Sequence, residues 1–220
     1  MTVNSVEFAK SWDGHIKELI KITAKKADRV EKKHDQIVKG AAKIFLEKGF
    51  HPTTIREIAE AAGMSMGQLY HYISSKDDVL LLIHMHLQIA FFEHMKKISI
   101  IDEDAVMALT RALRQTQSFM TENKKLFQFI YRESKYLSKK HLQVVLQMDD
   151  KYIVEYWRGL IELIKIQENL EIDTNFAANL IAYISVFIPM RGWNLKDRPL
   201  KEQQELLIEY TLRAIGIQSR

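Results

Sequence analysis

The chain has no cysteine among its 220 residues, and only three prolines and eight glycines. Without cysteine there is no disulfide framework, no thiolate metal site and no cysteine nucleophile. That suits a reducing cytoplasm. So few prolines and glycines leave little material for the turns of a β-sandwich or barrel. No apolar run reaches the roughly 20 residues that a membrane-spanning helix needs. The opening MTVNSVEFAKSWDG lacks the basic-then-apolar form of a signal peptide, so the expectation is a soluble cytoplasmic protein. A strong charge excess is also missing. Thirty-two basic against 28 acidic residues give +4, which permits a nucleic-acid partner without requiring one. What is plentiful is apolar side chain, 47% of positions, enough for one sizeable core or two modest ones. Its spacing is helical throughout, and the reading is an all-α chain.

The most legible stretch is 53–76, TTIREIAEAAGMSMGQLYHYISSK, in which three helix starts follow one another. Thr54 and Glu57 have capping-box spacing, Ile58, Ala59 and Ala62 form one apolar stripe, and Gly63 supplies a left-handed stop. Ser65 with Gln68 opens a second short helix that turns Leu69 and Tyr72 inward. Two helices this short must cross and share a core with their neighbours, which predicts a helix-turn-helix. Ser75 with Asp78 opens a third, long helix whose first residue is Lys76. A cation at the positive end of a helix dipole is unfavourable alone. It is explained by an external phosphate held by free backbone N–H groups and the lysine. The same stretch contains Gly63-x-Ser65-x-Gly67, the pattern of a hydrolase nucleophile elbow. That motif needs a buried strand before the serine, and EIAEAA has helical period.

Elsewhere, residues 4–27 read as an additional helix, with seven Lys/Arg between Lys17 and Lys33 as a solvated face or a backbone-contacting one. Asp28 and Glu31 cap the next helix, whose apolar face is Ile37, Val38, Ala41, Ala42 and Phe45, ending at Gly49 and Phe50. The helix from Lys76 is expected to run to about Lys97 and to belong to both halves of the protein. His84, His86 and His94 lie on it, but 84 and 86 point to different faces, so they read as core or surface histidines rather than a metal set. Glu31-x-x-His34 is a single E-x-x-H where a di-iron bundle needs two. From Asp102 onward the periods give five helices: a stripe over 106–120, a short one with Leu126, Phe127, Ile130 and Tyr131, and a long unbroken one from Ser138 to Ile164 whose inward stripe is Leu142, Val145, Leu146, Tyr152, Ile153, Tyr156, Leu160 and Ile164. A fourth, capped by Asp173, is kinked by Pro189, and the last covers 200–215. FAANLIAYISVFIPM, in the fourth, is apolar almost all round and needs cover on both sides.

From about Val30 to Leu82 the chain resembles the DNA-binding domain of TetR/AcrR-type bacterial repressors. The residues that carry the resemblance are Ala42, Phe45, Gly49, Phe50, Thr53, Thr54, Ile58, Ala59, Ala62, Gly63, Ser65, Gly67, Leu69, Tyr70, Tyr72 and Lys76. It implies a three-helix head over 30–84 and a ligand-binding and dimerisation bundle over 85–220, joined by the shared long helix; the extra N-terminal helix, 1–29, stands in front of the family domain. The helix Met66–Tyr72 would enter the major groove with Met66, Gln68 and His71 toward base edges and Gly67 between them. Arg56 is a further base contact. Gln68 either reads adenine or is occupied as a cap. Thr53, Thr54, Ser65, Tyr70, Tyr72 and Lys76 would meet phosphates, with Tyr70 open to a core role instead.

The C-terminal half, through FIYRESKYLSKKH, Tyr152, Trp157 and the Arg191-Gly192-Trp193 run, looks like the members of that family that sense acyl-CoA thioesters or lipid catabolites. Such a bundle would be lined by Phe119, Phe127, Tyr131, Tyr156, Trp157 and Tyr183, with Arg132 or Arg191 meeting phosphates at its mouth; for each aromatic, filling the core is the competing role. The resemblance implies a homodimer through the last two helices (about 173–215), since one short recognition helix reads too few bases and a two-fold pair reads two half-sites. The expected function is a ligand-released repressor of a palindromic DNA operator, without cofactor and not an enzyme. The other classes are a helical adaptor of the same fold without DNA binding, and a helical metal enzyme.

Overall fold

The computed structural model describes residues 27–95 and 104–217, and among them every regular element is a helix, with no strand. The expected helix over 4–27 and the cap at Asp28 lie outside the described residues and side chains. The elements are α1 (Ala27–Lys48), α2 (Ile55–Ala61), α3 (Met66–Tyr70), α4 (Lys76–Met95), α5 (Ala105–Glu122) and α6 (Lys124–Glu133). A 3-10 turn over Ser134–Tyr136 leads into α7 (Lys139–Met148), a π-helical turn (Asp149–Val154) and α8 (Glu155–Gln167). Then come α9 (Thr174–Ser185), α10 (Phe187–Arg191), a 3-10 turn (Gly192–Leu195) and α11 (Leu200–Ala214).

Two compact units result. The first takes residues up to His86 together with Phe129–Val145, and the second holds Leu87–Gln128 and Leu146 onward. Residues 129–145, expected with the C-terminal bundle, therefore pack with the head. The first unit is centred on α1 and α4. Ile37, Ala41 and Phe45 on α1 are buried, as is every residue from Val79 to Met85 on α4. A helix apolar all round is one covered on all sides, and here α1 and 129–145 contribute that cover.

In the second unit α8 packs against α5 and α9, and α11 against α5. Asp104 and Asp173 cap α5 and α9: Asp104 Oδ1 accepts from the Val106 and Met107 N–H groups at 3.0 Å, and Asp173 Oδ1 accepts from the Phe176 N–H at 3.0 Å. Two features depart from the periods. The expected unbroken stripe from Ser138 to Ile164 is interrupted by the π turn, whose extra residue rotates the faces of α8 relative to α7. Trp157, Leu160, Ile161 and Ile164 are buried beyond it, while Leu142 and Leu146, expected inward, are exposed. The break before Pro189 falls at Val186. Proline has no N–H to offer the Ser185 carbonyl four residues back, and the buried Gln117 Nε2 donates to that oxygen instead, at 3.4 Å.

Candidate nucleic-acid interface

Both short helices of the head start as their spacing requires. At α2 the Glu57 N–H donates to Thr54 Oγ1 (3.2 Å) and the Thr54 N–H to Glu57 Oε2 (2.8 Å). At α3 the Gln68 N–H donates to Ser65 Oγ (3.2 Å) and the Ser65 N–H to Gln68 Oε1 (3.0 Å). Ser65 is thus a helix cap and has no nucleophile geometry. Gly63 makes the turn between them at φ +61, a conformation that L side chains rarely adopt. Glu57 also pairs with Lys48 at the end of α1. That lysine's hydrogen bond, followed by the Thr54 backbone and hydroxyl, holds the Glu57 carboxyl down at about 2.

Three α1 residues that periodicity does not single out seat this motif. Gly40 lets α1 lie directly against the end of α2: a Cβ there would stand 2.6 Å from the Ala61 carbonyl carbon and the Ala62 nitrogen. Gln36 Nε2 donates to the Ala62 carbonyl, and the buried His34 has Nε2 3.4 Å from the Tyr72 carbonyl. A lone glycine inside an otherwise good helix was the available signal for the first.

Of the expected DNA-contacting residues, Thr54, Arg56, Ser65, Gly67, Gln68, Tyr70 and His71 are exposed, and Met66 is half-buried. Tyr70, at 51% exposure, is not a core ring. Gln68 has its carboxamide oxygen engaged by the cap, so its Nε2 is the group facing outward chemistry. Three of the expected phosphate contacts are instead engaged within the head. Thr53 is 1% exposed and its hydroxyl donates inward to the Gly49 carbonyl at 2.7 Å. Tyr72 is buried, with its ring edge-on to His34. Lys76 Nζ donates to the carbonyls of Phe50 (2.8 Å), His51 (3.0 Å) and Thr53 (2.9 Å), and an ammonium has three donors. Its charge also lies 4.5 Å from the centre of the Phe50 ring. Burial lowers its pKa, while the three carbonyls favour the charged form. The cation at the start of α4 is explained by these carbonyls rather than by an external anion.

The segment 129–145 is packed on the same loop. Phe129 stacks on Phe45 and Tyr136 on Phe50, at centroid separations of 5.4 and 5.6 Å, and Tyr136 meets His51 edge-on at 4.2 Å. At the start of α4, Asp78 Oδ2 accepts from the Ser74 and Ser75 N–H groups (2.6 and 3.0 Å), confirming the third cap. His141 sits against both carboxylates there, Nδ1 2.7 Å from Asp77 and Nε2 3.5 Å from Asp78. The Nδ1 contact does not have the geometry of a hydrogen bond. Deeper on α4, the buried His84 lies 3.3 Å from Ser134 Oγ, and burial presses its pKa down to about 4.

The residues expected to line a ligand site divide. Phe119 meets Phe91, Phe127 and His94 at centroid distances of 5.4, 6.1 and 5.3 Å. Tyr156 and Trp157 are edge-on at 5.2 Å, and neither the Tyr156 hydroxyl nor Trp157 Nε1 has a hydrogen-bond partner among the described residues; burial raises the Tyr156 pKa. Tyr131, Arg132, Tyr183 and Arg191 do not join them. Tyr131 and Arg132 belong to the first unit and are exposed, the latter paired with Glu133. Tyr183 is 73% exposed, and Arg191 lies over the Trp193 ring.

These observations define an all-helical protein whose first unit is a helix-turn-helix head. Residues 37–83, the segment that holds α2, the turn and α3, match the family described as bacterial regulatory proteins, tetR family. Over 53 residues it is 45% identical to the HTH-type transcriptional regulator HbdR of Aromatoleum sp. (strain CIB). That match covers 24% of this chain and 23% of HbdR, so the chain spans about a quarter of the length of this curated relative. The fold extends further. A tetR-family regulatory protein from Rhodococcus RHA1 superposes with a TM-score of 0.73 at 20% identity, over 86% of this chain and 99% of the other. AibR, solved with isovaleryl coenzyme A and operator DNA, does so at 0.65 and 19%, over 81% and 97%. The family is one of transcriptional regulators, which are not enzymes.

Proposed function

We propose that the protein is a homodimeric, ligand-responsive transcriptional repressor that leaves a palindromic operator when a small hydrophobic or acyl-CoA-type effector binds. The observation that carries the DNA half is the α2–turn–α3 unit itself. It has two reciprocally capped short helices, and its outward side chains include Arg56, Gln68, Tyr70 and His71 with no apolar burial to explain them. Arg56, Gln68, Met66 and His71 read base edges, while Thr54, Ser65, Tyr70 and the free N–H groups opening α2 meet phosphates.

Dimerisation is supported by α9 and α10. Phe176, Leu180, Tyr183 and Phe187 recur at helical spacing, and Phe176 is 68% exposed. Tyr210 on α11 is exposed as well. A stripe of large rings open to water on the last helices is the surface a second copy covers. For the effector, the supporting observation is that, among the described residues, every buried polar residue of the second unit is uncharged: Thr116, Gln117, Thr174, Ser185, Gln203 and Thr211. An interior of this kind takes an apolar chain with a neutral polar end and leaves phosphates outside. AibR, solved with an acyl-coenzyme A, shares the fold, which supports that ligand class.

The test is selection of duplexes from a random pool by the purified protein, followed by binding with and without acyl-coenzyme A esters of increasing chain length. Enrichment of an inverted repeat that one ester releases supports the reading. A protein that enriches no duplex is an adaptor.

A further inference from the structure

The brace formed by residues 134–141 has a role beyond packing. Tyr136 lies on one face of Phe50 (14° between planes), and the Lys76 ammonium sits over the same ring while holding the carbonyls of Phe50, His51 and Thr53. Those residues form the loop that ends at Thr54, the cap of α2, two residues before Arg56. A few residues on, the Ser138 N–H reaches the Asp77 carboxylate at 3.3 Å and His141 closes on Asp77 and Asp78. Two anchors therefore converge on the two ends of the helix-turn-helix, the entry to α2 and the start of α4. The helices flanking the brace, α6 and α7, run on unbroken into residues of the second unit. Nothing in 134–141 lies within the matched domain, 37–83.

We propose that Tyr136 and His141 are positioning residues for DNA binding, holding the 50–54 loop and the start of α4 in the operator-competent arrangement. The inference rests on the DNA-binding reading. Tyr136 acts through Phe50 and Lys76 on the loop, and His141 acts through Asp77 and Asp78 on the cap made by Asp78. Drawing α6 or α7 away would unstack Tyr136 before it disturbed α1, because aromatic stacking falls off within about an ångström of added separation while the α1 core is buried on all sides.

The experiment uses the full chain and a duplex that the wild-type protein enriches from a random pool. Tyr136→Ala is expected to weaken that duplex about tenfold with the salt slope unchanged, since no phosphate contact is lost. Tyr136→Phe, which keeps the stack, restores wild-type affinity. Amide exchange at residues 50–54 speeds up in Tyr136→Ala while Ile37–Ala41 stay protected; His141→Ala, which leaves every ring contact in place, is expected to cost about threefold by the other anchor. If Tyr136→Ala does not fold, Tyr136→Leu takes its place with the same expectation. Wild-type affinity in both the Tyr136 and His141 variants, or exchange that quickens equally throughout the head, overturns the proposal. A wild-type protein that enriches no duplex refutes the DNA reading, and the exchange rates of 50–54 still decide the brace.

Discussion

Lys76→Met separates a structural lysine from a phosphate-binding one. The substitution keeps an unbranched apolar stem against Phe50 and removes the three donors that hold the carbonyls of Phe50, His51 and Thr53. Hydrogen bonds from a charged donor contribute about 1.5–3 kcal/mol each when well sheltered. One of these three is exposed and the other two are part-buried, so screening reduces the sum to about 2 kcal/mol. For a chain of this length that is a fall in Tm of roughly 4–8 °C. The DNA readout is the dependence of log Kd on log salt between about 50 and 300 mM, where each phosphate contact contributes a slope of about 0.9. If the ammonium is occupied by the loop, the slope stays at its wild-type value and affinity falls uniformly. A slope flatter by about 1.8, for two heads each losing one contact, together with an unchanged unfolding midpoint, would refute the reasoning and return Lys76 to the phosphate backbone.

Gly40→Ala places a Cβ against the Ala61–Ala62 backbone, and the strain of about 3 kcal/mol outweighs the roughly 1 kcal/mol that alanine returns in helix propensity; the chemical-denaturation midpoint should drop, and one that rises sinks the close-approach argument. Gly67→Ala has open space around its Cβ, so it should raise stability by about 0.5–1 kcal/mol yet weaken DNA binding if the glycine is there for an outside partner; unchanged affinity would show that it is not. His84 has its folded pKa near 4 against an ordinary 6.5, so the unfolded chain takes up the proton first. The associated stability, about 3 kcal/mol, is fully present above pH 6.5 and lost as pH falls toward 4, and urea midpoints of His84→Gln should lack that decline. Tyr183→Glu puts a charge in the exposed stripe of α9; light scattering should show a dimer for the wild type and a monomer for the variant, and a variant of wild-type mass would remove this face from the proposed interface.

Legibility followed the range of the interactions involved. The caps at Thr54, Ser65, Ser75 and Asp173 are made by residues three apart, so the spacing alone contained them. Gly63 was readable for the same reason, since a left-handed turn between two short helices is a local demand on one residue. Gly40 was not, because its requirement comes from the backbone of another helix about twenty residues on. Thr53 and Tyr72 were misplaced through a different limit: both occur at positions of the family pattern, and a pattern does not say whether a polar atom faces DNA or the Gly49 carbonyl. In the second half the periods give five helices where the structure has seven among the described residues, because the π turn divides the 138–164 helix and the break at Val186 divides the one capped by Asp173. The wider turn at 149–154 changes the phase between α7 and α8 with no compositional mark, so a single stripe drawn through Leu142, Leu146, Leu160 and Ile164 is not buried on both sides of it.

The same distinction bears on how a head this small can be regulated. α2 and α3 together hold twelve residues, too few to fix their own orientation by burial. What fixes it is a set of contacts from outside: Gly40 and Gln36 of α1 at the end of α2, His34 at Tyr72, Lys48 at Glu57, and Lys76 and Tyr136 at the entry loop. The α1 contacts join residues that lie together in the first unit and move with it. Lys76 on α4, and Tyr136 and His141 on the 134–141 segment, come from chain that continues into the second unit. Of the two, α4 is buried on all sides from Val79 to Met85. The 134–141 turn, with a half-exposed ring and a histidine–carboxylate contact at its two ends, offers less resistance to displacement, so under the proposed function hydrogen exchange on the intact protein with and without an acyl-coenzyme A ester should show 134–141 loosening before α4; α4 exchanging first would refute that order.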